Sequence, residues 1–293
     1  MTPDVVQNET LRIAVRRRGA EVTSIRDAAG TEYLWQGDPR VWEGQSPVLF
    51  PIVGRLAGDA YTHAGNRYSL PQHGFARRKE FALLERSDQH LTYALVPDVE
   101  TRAAYPFAFA LEISYRLLGG SVAVAYRVSN PGETALPFSI GGHPAFSCAW
   151  RPGDLLEDFS LTFDRPEQAD TFLVRDGLID LDETRPVLAG ERTLPLTKTL
   201  FDQNALVFGG LASSAVTLAS RRHPNRVTVR FPGFPYLGIW SKPGAPFVCI
   251  EPWHGHADPT GRAPGGSLET KPGIVILKPG GSFSCEWQAS IEA

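Results

Sequence analysis

An all-β fold, a sandwich or a barrel, follows from three features of the chain. Short segments alternate apolar and polar residues with the two-residue period of a strand. The 24 prolines and 28 glycines are spread along the chain, so they punctuate these segments instead of forming one linker. No stretch of about 12 residues carries an i, i+3, i+4 apolar stripe between caps, which leaves room only for few, short helices.

In chain order, Leu11-Arg12-Ile13-Ala14-Val15 alternates, as does Leu111-Glu112-Ile113-Ser114-Tyr115. Between Ser121 and Asn130, the residues Val122, Val124, Tyr126 and Val128 share one face. Asn130-Pro131-Gly132 then supplies the turn chemistry that stops the run. Segment 151–200 has its period broken by prolines and charges, and reads as an excursion over one end of the sandwich. Val227, Val229 and Phe231 restore the alternation, and Phe247-Val248-Cys249-Ile250 reads as a buried strand. Ile274-Val275-Ile276-Leu277 is a further strand, turned by Lys278-Pro279-Gly280-Gly281. No repeat or low-complexity tract divides the chain, so residues 1–293 are expected to form one domain.

Composition narrows the function classes. Apolar residues at 42% and charged residues at 21% are ordinary for a globular protein. A net charge of −3 and only short basic runs, such as Arg16-Arg17-Arg18 and Arg77-Arg78-Lys79, argue against nucleic acid or an acidic membrane as partner. Cys148, Cys249 and Cys285 are odd in number and far apart, so neither a disulfide framework nor a zinc knuckle is indicated. A reducing, cytoplasmic compartment is the expectation. The N-terminus lacks the pattern of a signal peptide, and no apolar run reaches the ~18 residues of a membrane span. The oligomeric state is expected to be monomer or homodimer.

Three short stretches carry the chemistry: His73-Gly74-Phe75-Ala76-Arg77, Gly141-Gly142-His143-Pro144-Ala145-Phe146 and Ile250-Glu251-Pro252-Trp253-His254-Gly255. Each sets an acid or a base beside glycine, which permits close approach, and aromatic rings, which offer flat apolar surface. Two imidazoles and a carboxylate from three separated loops suit an acid/base pocket for a small polar substrate. His254-x-His256 with Asp258 invites a metal reading. A catalytic zinc needs three ligands in suitable geometry, however, and Gly255, Ala257 and Pro259 mark a loop.

Together with Pro47-Val48-Leu49-Phe50-Pro51-Ile52-Val53-Gly54-Arg55-Leu56 and Tyr236-Leu237-Gly238-Ile239-Trp240-Ser241-Lys242, these stretches resemble the aldose 1-epimerase (galactose mutarotase-like) family. The order and spacing of the motifs carry the resemblance over nearly the whole chain. It implies a large antiparallel β-sandwich with a sugar cleft, and cofactor-free, metal-free exchange of the α and β anomers of a hexose. It implies Glu251 as base, His143 as acid, His73 as a hydrogen-bonding partner of the sugar and Arg55 as a further polar contact. Where the family usually has an aspartate, in the run Phe201-Asp202-Gln203-Asn204-Ala205-Leu206, this chain has Asn204, which can bond a hydroxyl but brings no charge.

The chemistry fits these residue types. Ring opening removes a proton from the C1 hydroxyl and delivers one to the ring oxygen, and the two groups exchange roles on closure. His143 is expected to donate without a large pKa shift. Glu251 is expected to stay ionised if polar groups surround it. Trp240, Trp253 and Phe75 are candidates to stack on the pyranose. Arg77, a fork-shaped anion binder, points to a hexose 6-phosphate as an alternative substrate. A non-catalytic carbohydrate-binding protein is the alternative that Asn204 suggests.

Overall fold

Most of the alternating segments become strands of two large antiparallel sheets in the computed structural model, which describes residues 2–293; Leu11–Arg16 and Val275–Leu277 fall in smaller sheets. The nine-stranded sheet runs from Thr193–Pro195 through Phe159–Phe163, Ala215–Ser220, Arg226–Arg230, Ser282–Glu292, Ser121–Ser129, Ala110–Leu118 and His90–Leu95 to Ala82–Arg86. The eight-stranded sheet runs from Leu178–Ala189 through Gln168–Arg175, Leu206–Gly209, Tyr236–Trp240, Phe247–His254 and Ile140–Gly142 to Val48–Leu49, with Ala145–Ser147 also paired to Phe247–His254. A three-stranded sheet, Asp4–Gln7, Leu11–Arg16 and Glu21–Asp27, and two hairpin-sized pairs complete the β-structure.

The two large sheets share one core. Val122, Val124, Tyr126, Val128 and Trp287 of the first are buried in the same apolar cluster as Leu206, Phe208, Leu237, Ile239, Val248 and Ile250 of the second. Helix is limited to one short α-helix, Val99–Ala104, and four 3-10 turns among the described residues. That α-helix has a reciprocal cap: the Thr101 N–H donates to Asp98 Oδ1 at 2.7 Å, and the Asp98 N–H donates to Thr101 Oγ1 at 2.8 Å.

Segment 151–200 is not an excursion. Phe159, Leu161 and Phe163 alternate into the core from the nine-stranded sheet, and Gln168–Arg175 pairs with Leu178–Ala189 in the other. Its prolines mislead because they lie where a sheet tolerates them. Pro195 is on the edge strand Thr193–Pro195, and Pro186 is on the edge strand Leu178–Ala189 beside a register shift at Ala169/Asp170.

Strand Phe247–His254 positions the site. Val248 and Ile250 face the shared core, while Cys249, Glu251 and Trp253 point to the opposite side of the sheet. That second face is also covered, so the first seven residues of the strand are all buried. The neighbouring strand is interrupted between Ile140–Gly142 and Ala145–Ser147. The Ile250 N–H still reaches Pro144 O across this gap at 3.2 Å. Two residues on, Pro252 has no N–H to offer, and it falls where the ladder is already broken. The residues filling that break are His143 and Pro144.

Candidate active site

Glu251 is therefore on a strand, not in a loop as its glycine and proline neighbours suggest, while His143 comes from the break in the neighbouring strand and His73 from a turn. The His143 Nε2 lies 3.3 Å from Glu251 Oε2, with side-chain exposures of 9% and 2%. Glu251 Oε2 and His143 Nδ1 are buried without a hydrogen-bond partner among the described residues. Three rings hold the imidazole of His143. Trp42 stacks on it at 5.1 Å between centroids and 25° between planes, and Trp240 and His73 meet it edge-on at 5.9 Å and 5.7 Å.

His73 has a positive φ of 64°, a conformation that side chains other than glycine adopt rarely. The turn is fixed by the Gly54 N–H, which donates to His73 Nδ1 at 3.1 Å. An acceptor Nδ1 places the proton of the neutral ring on Nε2, a donor that lies 3.3 Å from the Gln72 side-chain amide at the cleft wall. Burial holds His73 well below the usual histidine range.

Burial also moves the central pair toward neutrality. It pushes Glu251 well above the usual carboxyl range and lowers His143 to about 3. The expectation that His143 keeps an ordinary pKa thus does not hold, because the tryptophans that orient its ring also exclude water.

Trp253 forms the floor of the cleft. It pairs across the sheet with Gly141 on one side, and its indole spreads over Gly238 on the other. A Cβ on either glycine would lie 2.5 Å from indole carbons, so the flat ring requires bare backbone on both neighbouring strands.

A cleft of about 460 Å³, within the usual range for small-molecule sites, opens above this floor. Glu251, His143, His73, Arg55, Asn204, Arg77, Trp240 and Trp253 all line it. Arg55 forms a two-pronged pair with Asp59, at 2.7 Å for each bond, and donates to Asp176 O at 3.2 Å. Arg77 donates to Gln72 O at 3.1 Å. Asn204 sits at the exposed rim with a φ of 84°, its Oδ1 accepting the Ala205 N–H at 2.9 Å. Phe75 does not reach the cleft; it packs against Phe50, Tyr105 and Phe109 in the core.

Several wall residues escaped the sequence reading. Trp42, the ring stacked on His143, stands in a loop with no pattern to single it out. Val174, Asp176, Gly177 and Ile179 come from the hairpin inside segment 151–200. That turn was legible: Asp176 and Gly177 both have positive φ, 52° and 80°, as the Asp-Gly pair of a tight hairpin requires. His256 also lines the cleft, edge-on to Tyr236 and with Nδ1 2.7 Å from Ala257 O. His254 instead packs between Phe234 and Phe283, so the two histidines do not converge on a metal.

Comparison with known proteins agrees with this architecture. The family described as Aldose 1-epimerase matches residues 5–274. The chain is 36% identical to the plasmid-encoded protein LacX of Lactococcus lactis over 283 residues, 94% of each protein. A galactose mutarotase related enzyme from Lactobacillus acidophilus superposes with a TM-score of 0.95 at 31% identity, covering 99% of this chain and 97% of that one. A galactose mutarotase-like protein from Lactobacillus casei gives 0.92 at 29% identity, covering 99% and 100%.

Proposed function

Because this chain belongs to the aldose 1-epimerase family, we propose that it is a mutarotase, interconverting the α and β anomers of a free aldohexose. The observation that carries this reading is the buried His143–Glu251 pair, 3.3 Å apart at the wall of a sugar-sized cleft. Glu251 takes the proton of the C1 hydroxyl while His143 protonates the ring oxygen. The C1–O5 bond breaks, the aldehyde turns about C1–C2, and closure on the other face returns both protons. Each positioned acid or base contributes roughly 10²–10⁴ in rate.

The electrostatics suit a reversible reaction. Burial favours the protonated acid and the bare imidazole. Moving one proton between them gives carboxylate and imidazolium, the pair that opening requires. Sugar hydroxyls hydrogen-bonded to both groups stabilise that charged form, which otherwise lacks partners. His73 donates from Nε2 to a ring substituent, and Trp253 carries the apolar face of the pyranose. Arg55 has its charge matched by Asp59, so it orients a neutral sugar, whereas Arg77 has no carboxylate bonded to it among the described residues. Arg77 is the feature that favours a 6-phosphate as second substrate class.

Polarimetry tests the proposal. Freshly dissolved α-glucose or α-galactose should relax faster in proportion to added protein. Relaxation at the buffer rate for several hexoses and their 6-phosphates, alongside measurable sugar binding, would reassign the protein as a carbohydrate binder.

A further inference from the structure

Beside the His143–Glu251 pair lies a group that anomer exchange does not use. Cys249 is two residues before Glu251 on the same strand and face, fully buried. Its Sγ, a ring nitrogen of His143 and a carboxylate oxygen of Glu251 all lie within 4.8 Å of one another. We propose that these three side chains form a site for a soft divalent cation, zinc above all, and that its occupation switches the enzyme off.

Three observations support the site. The first is the ligand set: imidazole, thiolate and carboxylate are the three donor types that zinc takes, and three protein ligands leave a fourth position open. The second is spacing. Two N or O ligands about 2.0–2.1 Å from a tetrahedral zinc stand roughly 3.3–3.4 Å apart. The His143 Nε2 and Glu251 Oε2 are already 3.3 Å apart, so bringing Cys249 Sγ closer completes the set. The third is the orphaned Glu251 Oε2, 2% exposed and without a hydrogen-bond partner. A bound cation satisfies it.

The charges also balance. Zn²⁺ with one thiolate, one carboxylate and one neutral imidazole is neutral overall, which a buried site demands. The thiol proton, and the carboxyl proton where present, leave to solvent as the metal enters. Burial pushes the Cys249 thiol well above its usual range, so affinity rises with pH. The cation takes the lone pairs on Glu251 and His143 that proton transfer needs, and the open fourth position faces the cleft.

The test begins with binding, which needs no assumption about the reaction. The full chain, stripped with a chelator, is titrated with Zn²⁺ against a chromophoric competitor. One equivalent should bind, Cys249→Ala should weaken binding at least tenfold, and Cys285→Ala should change nothing. Co²⁺ should give a thiolate charge-transfer band that Cys249→Ala abolishes, and Mg²⁺ should not compete. In polarimetry, Zn²⁺ should stop the wild type, while Cys249→Ala should turn over normally and resist the metal. If Cys249→Ala does not fold, the near-isosteric Cys249→Ser replaces it. A wild type that binds no zinc, or a Cys249 variant that binds it as tightly, overturns the site. Should the wild type show no anomer exchange at all, the titration still decides the metal question.

Discussion

Glu251→Gln separates catalysis from stability in a way few substitutions do. The change removes one ionisable oxygen and leaves shape and volume nearly intact. Turnover should fall by roughly 10²–10⁴, the share of a single general base. Stability should rise. Burial lifts the folded-state pKa of Glu251 above its unfolded value, which is about 4.3. Between those two values the folded chain holds a proton that the unfolded chain has released. Stability there falls as pH rises, by about 1.4 kcal/mol for each pH unit, and the loss is complete above the folded pKa. Glutamine never ionises and escapes this loss. In a chain of this size 1 kcal/mol corresponds to about 2 °C in Tm. Thermal melts followed by circular dichroism from pH 4 to pH 8 should therefore coincide at the acid end and separate by about 2 °C or more at pH 8, the variant melting higher. Coincident melts across the whole range would refute the claim that Glu251 is desolvated, and wild-type turnover would refute its role as base.

Four further outcomes are expected. Gly238→Ala sets a methyl 2.5 Å from the Trp253 indole, tilting the floor into the cleft; KM should rise about tenfold or more in polarimetric assays, with unfolding changed by only about 1–3 kcal/mol. His73→Asn removes the Nε2 donor, and should raise KM about tenfold, near 1.4 kcal/mol, with a smaller loss in kcat. Asp59→Asn frees the half-exposed Arg55 from its carboxylate; KM should change a few-fold, while stability moves by less than about 1 kcal/mol because the pair is at the surface. His143→Asn should abolish exchange and leave sugar binding measurable by calorimetry.

The fold was legible because its strands are half-buried and alternate. Val122, Val124, Tyr126 and Val128 are all buried, and the run stops at Ser129, one residue before the Asn130-Pro131-Gly132 turn. Segment 151–200 misled because prolines on edge strands look like breaks. Glu251 looked like a loop residue for a related reason: Pro252 breaks no ladder bond where the facing strand is already interrupted. The cleft residues were found through motifs, whereas their neighbours were not. Trp42 stacks on His143 from a position 101 residues earlier in the chain, and nothing in a linear pattern encodes that contact. The shifted ionisation of His143 and Glu251 was hidden in the same way, because it depends on which rings close over them.

The central claim is that His143 and Glu251 exchange protons with a sugar at C1 and the ring oxygen. Exchange spectroscopy between the anomeric protons of a hexose already at equilibrium measures that step directly, with no burst of fresh substrate needed. Catalytic amounts of the wild type should raise the α-to-β exchange rate in proportion to protein, and equal amounts of Glu251→Gln should leave it near the buffer value. Identical rates with wild type, variant and buffer alone, for hexoses and their 6-phosphates alike, would contradict the account.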